Sequence, residues 1–95
     1  LVYDNYLIDI DKRIVSENNK EVNLTTLEFD LLYMFLNNKN KQFSREDILN
    51  IIWGYNYFGN DRVVDDLVRR LRSKMKKLNI NTIYGYGYRL SWKIK

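Results

Sequence analysis

Between Arg62 and Lys77 the chain places Arg62, Arg69, Arg70, Arg72, Lys74, Lys76 and Lys77 against only two acids, Asp65 and Asp66. That surplus of five positive charges exceeds the net +4 of the whole chain, so the other 79 residues together carry −1. Guanidinium and ammonium groups at this density do one kind of chemistry well: they neutralise and hydrogen-bond an extended polyanion. Val64, Val68, Leu71, Met75 and Leu78 recur through the same stretch at helical spacing. The pattern predicts a helix from about Arg62 to Leu78 with an apolar face and a cationic one. Nucleic acid is the partner such a helix suits first. The bland account of the charges is a solvated face laced with i,i+4 pairs, Asp65–Arg69 and Asp66–Arg70, at about 0.3–0.5 kcal/mol each. Those pairs would still leave Arg62, Arg72, Lys74, Lys76 and Lys77 uncompensated.

Other chemistry has little to work with. Histidine and cysteine are absent, which removes the usual nucleophile–base couples, thiolate metal sites and disulfides. The carboxylate pairs Glu28–Asp30 and Glu46–Asp47 sit where helix starts favour acids. Gly85-Tyr86-Gly87 follows a strand pattern but opens no helix, so it is no phosphate cradle. No catalytic residue, metal site or cofactor is expected. The apolar runs are short, no membrane segment or signal peptide is visible, and a cytoplasmic location fits the absence of cysteine. Because the chain opens at Leu1 rather than Met, a preceding segment is expected.

The elements that would position the cations can be read in order. Ile8 and Ile10 alternate with Asp9 and Asp11, the period of a half-buried strand. Asp11-Lys12-Arg13 and Glu17-Asn18-Asn19-Lys20 suit turns flanking short strands at Ile14-Val15 and Glu21-Leu24. Thr25-Thr26-Leu27-Glu28 is a capping box opening a helix apolar around most of its girth. A second box, Ser44-Arg45-Glu46-Asp47, opens a helix carrying Ile48, Leu49, Ile51 and Ile52 and stopping near Gly54. Asn60 or Asp61 would cap the cationic helix, and Thr82-Ile83-Tyr84 and Tyr88 to Trp92 flank Gly85-Tyr86-Gly87 as a hairpin. The fold class is α+β: a winged helix-turn-helix with an N-terminal antiparallel strand platform, three helices and a C-terminal β-hairpin wing.

Four blocks carry a family resemblance: Leu24-Thr25-Thr26-Leu27-Glu28-Phe29-Asp30-Leu31-Leu32; Ser44 to Leu49 with Ile52-Trp53-Gly54; Arg62-Val63-Val64-Asp65 with Val68 to Lys74; and Gly85-Tyr86-Gly87-Tyr88-Arg89-Leu90. In this order and spacing the chain resembles the C-terminal effector domain of OmpR/PhoB-type response regulators. The resemblance implies a recognition helix at Arg62–Leu78, a wing around residues 85–87, and a phosphate-accepting receiver domain and linker ahead of Leu1. It also implies a transcription factor that binds tandem double-stranded DNA half-sites as a dimer, the isolated domain being monomeric. A sensor kinase would address the receiver. RNA polymerase would meet the loop Gly54, Tyr55, Asn56, Tyr57, Phe58, Gly59 and Asn60. Two positions depart from the family pattern: Leu67 stands where histidine is frequent, and Tyr84 where the wing commonly has arginine.

With the recognition helix in the major groove, the face opposite Val64, Val68 and Met75 centres on Arg62, Asp66, Arg69, Ser73, Lys76 and Lys77, with Arg70 and Arg72 on its shoulders. Arg70 is the first candidate to grip a guanine edge. Val63 could meet a thymine methyl, and Asp66 could accept from cytosine or hold Arg70. Arg62, Arg69, Lys76, Lys77 and Tyr88 suit phosphates, which set register without reading sequence. Thr82, Tyr84, Tyr86 and Arg89 complete the set on the wing. Tyr84, Tyr86 and Tyr88 would share one face, partly turned to the domain. Tyr55, Tyr57 and Phe58 either pack down or form a contact patch. The rival from another class is a winged-helix module whose basic helix docks an acidic protein partner.

Overall fold

The computed structural model describes residues 1–92. Four short strands, β1 (Val2–Tyr3), β2 (Tyr6–Asp9), β3 (Ile14–Glu17) and β4 (Lys20–Val22), form an antiparallel sheet in sequence order. Alternation decides its faces: Tyr6, Ile8 and Val15 are buried, whereas Leu7 and Asp9 point outward. Glu17 pairs with Lys20 across Asn18 and Asn19, whose φ angles of 50° and 67° are both left-handed. This is the mirror-image turn that matches the twist of a hairpin, and asparagine tolerates it better than most residues. β2 stops at Asp9, earlier than the alternation through Ile10 predicts. The Asp9 carboxylate accepts the Lys12 amide at 3.0 Å and bends the chain away.

Helix α1 (Thr26–Leu36) buries Phe29, Leu31, Leu32, Met34, Phe35 and Leu36, so it is enclosed on most sides, as its composition predicts. Both capping boxes form. The Thr25 hydroxyl accepts the Glu28 amide and Glu28 accepts the Thr25 amide; Ser44 and Asp47 do the same for α2 (Arg45–Ile52). In α2 only Ile48 is fully buried; Leu49 and Ile52 pack at the edge of the core and Ile51 faces solvent. Gly54, at φ +95°, turns the chain out of that helix.

Helix α3 (Arg62–Lys74) lays Val64, Leu67, Val68 and Leu71 on this core. It ends one turn before the predicted Leu78. Met75 leaves helical geometry at φ −125°, ψ 74°, and the Lys77 amide donates to the Tyr6 hydroxyl at 3.1 Å instead of continuing the helix. Periodicity could not show this, because Met75 and Leu78 are buried either way. The wing hairpin is β6 (Ile80–Ile83) and β7 (Gly87–Leu90), begun two residues earlier than expected. It gains a third strand that sequence reading missed, β5 (Gln42–Ser44), which pairs antiparallel with β7 to give the order β5-β7-β6.

That third strand explains Gly87. A Cβ there would lie 1.9 Å from the Phe43 carbonyl oxygen, a backbone atom that cannot swing aside. Gly85 is needed for conformation alone: its φ is +74° and nothing lies within 4 Å of an added Cβ. Gly85→Ala should therefore destabilise by about 1–2 kcal/mol, the usual left-handed penalty. Gly87→Ala should do clearly more, forcing β5 and β7 apart at about 3 kcal/mol or beyond. Thermal melts of the two variants compare them directly, and equal midpoints would contradict the close approach.

Candidate nucleic-acid interface

At about 100° per residue, Arg62, Asp66, Arg69, Arg70 and Ser73 fall within roughly a quarter of the circumference of α3, opposite its buried row. All five are exposed. The row starts cleanly because the Asn60 side-chain oxygen accepts the Arg62 amide at 2.9 Å, whereas Asp61, at the cap position, makes no side-chain cap bond. Among the described residues, no hydrogen bond or ion pair engages the Arg62 or Arg70 guanidinium. Val63 is half-buried at the flank of the row.

The expected i,i+4 pairs are absent. Asp66 pairs with Arg69, three residues on, at 3.3 Å, and both side chains are mostly exposed. Such a pair is worth at most about 1 kcal/mol and opens readily. Asp65 turns away from the helix surface: one carboxylate oxygen accepts Arg45 Nε at 2.9 Å and the Tyr88 hydroxyl at 2.5 Å. The Asp65 hydrogen bond holds the Arg45 guanidinium above its ordinary pKa. Burial, and then donation to Asp65, raise the Tyr88 phenol. Tyr88, expected on a phosphate, is thus a buried strut between the wing and α3.

Arg72 also departs from expectation. It lies on the shoulder facing the wing, where Nη2 donates to the Ile80 carbonyl at 2.7 Å and the Thr82 hydroxyl at 2.9 Å. Thr82 is therefore engaged within the domain. On the opposite shoulder, Lys74 reaches α1 and pairs with Glu28 at 2.6 Å, Glu28 being 1% exposed. Lys77, past the end of the helix, pairs with Glu17 of β3 at 3.3 Å. Lys76 is exposed in the turn beyond α3, off the helical row. Of the five cations that local pairing would leave free, Lys74 and Lys77 are neutralised by distant acids and Arg72 is held by neutral groups.

At the wing, Tyr84 and Tyr86 lie in the turn rather than in a strand and do not share the face of Tyr88. Tyr84 is 93% exposed and Tyr86 is also exposed. Arg89 is half-buried, and its Nε is enclosed with no hydrogen-bond partner among the described residues. In the loop before α3, Tyr57 packs against Trp53 with ring centroids 6.0 Å apart, while Tyr55 and Phe58 stand 86% and 97% exposed. Among the described residues no acid cluster could hold a metal, and no helix is long and apolar enough to cross a membrane.

The family model described as Transcriptional regulatory protein, C terminal, matches residues 19–90. The chain belongs to this family, the OmpR/PhoB-type effector domains. CssR, a transcriptional regulatory protein of Bacillus subtilis, is 53% identical over 91 residues that cover 95% of this chain and 40% of CssR. This effector domain therefore spans about 40% of the length of that relative. The crystal structure of the CssR DNA-binding domain superposes with a TM-score of 0.86 at 56% identity, covering 90% of this chain and 98% of that one. The Klebsiella pneumoniae RstA DNA-binding domain, solved in complex with the RstA box, gives 0.83 at 28% identity over 96% of this chain and 95% of that one. The likeness extends the winged-helix assignment over nearly the whole effector domain.

Sequence reasoning missed the residues that aim α3: Glu28, Lys74, Asp65 and Arg45. Glu28 was legible only as a cap, since its second partner is 46 residues away. Burial pushes the Glu28 pKa up, but the hydrogen bonds from Lys74 and Thr25 outweigh it and leave the folded value depressed. A depressed folded pKa adds stability above the unfolded value, near 4.5, and that stability is lost as pH falls through the folded value. Lys74→Met strands a buried carboxylate and should cost about 3 kcal/mol at neutral pH. The gap between variant and parent should narrow as pH drops below about 4.5. Urea unfolding at pH 7 and pH 3 measures both gaps; a gap independent of pH would show that the pair contributes nothing.

Proposed function

We propose that this effector domain binds double-stranded DNA sequence-specifically, with α3 in the major groove and the β6–β7 turn at the adjacent minor groove. The observation that carries the proposal is the outward row of α3. Arg62, Arg69 and Arg70 project from a helix whose other side is locked into the core. A helix of about 10–12 Å diameter matches a major groove about 12 Å wide. Arg70, without a competing partner among the described residues, reads a guanine edge. Val63 and Asp66 flank it. Arg62, Arg69 and Lys76 hold phosphates, with Ser73 on the same face. Tyr84 and Tyr86 present a neutral wing tip to the minor-groove rim.

For the whole protein, the same proposal includes a receiver domain addressed by a sensor kinase, and dimers on tandem half-sites. A second contact follows from Tyr55 and Phe58, two aromatic rings left almost bare on the loop before α3. Rings so exposed suit a protein surface, and RNA polymerase is the partner we assign to them. Tyr55→Ala with Phe58→Ala should leave duplex affinity unchanged while lowering transcription from a responsive promoter. Loss of affinity in that double variant would place the loop on DNA instead.

The division of labour on α3 is testable with a duplex selected by the domain from random sequence. Arg70→Ala should relax specificity at one position by roughly 1–3 kcal/mol. Arg62→Ala should weaken selected and random duplexes alike and reduce the slope of log affinity against log salt by about 0.9. Anisotropy titrations across salt concentrations report both, and identical losses for the two variants on every duplex would refute the division. A domain that prefers no duplex over heparin at physiological salt would instead be the module for an acidic protein partner.

A further inference from the structure

Arg72 is a cation of α3 held in a direction that its charge does not suggest. It lies roughly a quarter-turn from the centre of the outward row, over the seam between α3 and the wing. One guanidinium nitrogen bonds the Ile80 carbonyl and the Thr82 hydroxyl at 2.7 and 2.9 Å, and the guanidinium carbon sits 5.4 Å from the Tyr88 ring centroid. Tyr88 in turn donates to Asp65, which holds Arg45 at the start of α2. The contacts run from α2 through α3 into both wing strands. Among the described residues no acid pairs with Arg72. Among the described residues β6 is an edge strand whose sheet neighbour is β7 alone, so Arg72 ties it to α3.

We propose that Arg72 is a positioning residue for the wing, not a phosphate ligand. By fixing β6 against α3 it sets which step of the minor groove Tyr84 and Tyr86 reach when α3 is seated. It thereby governs discrimination at the flank of the site while touching no DNA. The inference rests on the DNA-binding proposal above.

Two variants separate this role from its rivals. Arg72→Met keeps the aliphatic stem and removes every donor; Thr82→Val removes one acceptor and leaves α3 intact. Each is titrated by anisotropy against the selected duplex, a duplex altered under α3, and a duplex altered at the wing-side flank, over a range of salt. Arg72→Met should keep the parental salt slope and its discrimination under α3. It should lose most of the roughly fivefold or greater discrimination that a flanking mismatch normally carries. Thr82→Val should shift the same way by less, and the double variant should be no worse than Arg72→Met alone. A salt slope lowered by about 0.9 in Arg72→Met would make the residue a phosphate ligand and overturn the proposal. Equal loss under α3 and at the flank, or additive effects of the two changes, would reduce it to a general structural role. Should Arg72→Met fail to fold, retained flank discrimination in Thr82→Val overturns the proposal by itself. A parent domain with no duplex preference would sink the DNA-binding proposal instead, and the two failures are told apart on the parent alone.

Discussion

Glu28 is the one charged residue that the described structure buries, and the pose of α3 hangs on it. A carboxylate in that position is costly unless its lone pairs are satisfied, and a well-placed cation with further hydrogen bonds can offset the loss of water. Here one oxygen accepts the Thr25 amide at the start of α1 and Lys74 from the last turn of α3. The same group that begins the central helix therefore grips the end of the helix that presents the cations. On the other shoulder, Asp65 binds Arg45 and Tyr88. Held at both shoulders, α3 cannot roll without breaking a partly buried ion pair or exposing Leu67 or Leu71.

The strand platform serves the same end from a distance. The Tyr6 hydroxyl accepts the Lys77 amide and the Tyr3 hydroxyl accepts the Asn79 amide, so two tyrosines of the first sheet pin the segment between α3 and the wing. Glu17 adds an ion pair to Lys77. Arg13 ties the platform to α1, bonding Asp30 at 2.7 Å and lying 4.4 Å from the Phe29 ring centroid. Each contact joins residues far apart in the chain, and each limits where the cationic surface can point. The field that remains outward is smaller than the charge count of the 62–77 stretch: Arg72 and Lys74 are engaged inward and Lys77 pairs with Glu17 at the surface, leaving Arg62, Arg69, Arg70 and Lys76 without a tie to another element among the described residues.

Local signals in the sequence were reliable where the physics is local. Both capping boxes, the Asn18-Asn19 turn, the enclosed α1 and the apolar row of α3 each depend on residues within a few positions of one another. The end of α3 was not legible, because burying Met75 and Leu78 satisfies the same periodicity whether or not the helix continues. Three-residue β5 was not legible either, since its partner lies more than forty positions away and nothing in Gln42-Phe43-Ser44 specifies it. The tight fit of Gly87 belongs with that strand: its sequence neighbours suggest a flexible turn, whereas the constraint is the Phe43 carbonyl.

By itself the sequence determined the three helices, most of the strands and their order, the side of α3 that must be buried and hence the side that faces out. Hydrophobic periodicity and capping chemistry act within a turn or two of helix and leave their mark in consecutive residues. Tertiary structure alone decided which charges are free. Coulombic and hydrogen-bond partners are chosen by distance in space: Arg72 and Lys74, two residues apart on one helix, end against different elements, while the Arg70 guanidinium has no partner among the described residues.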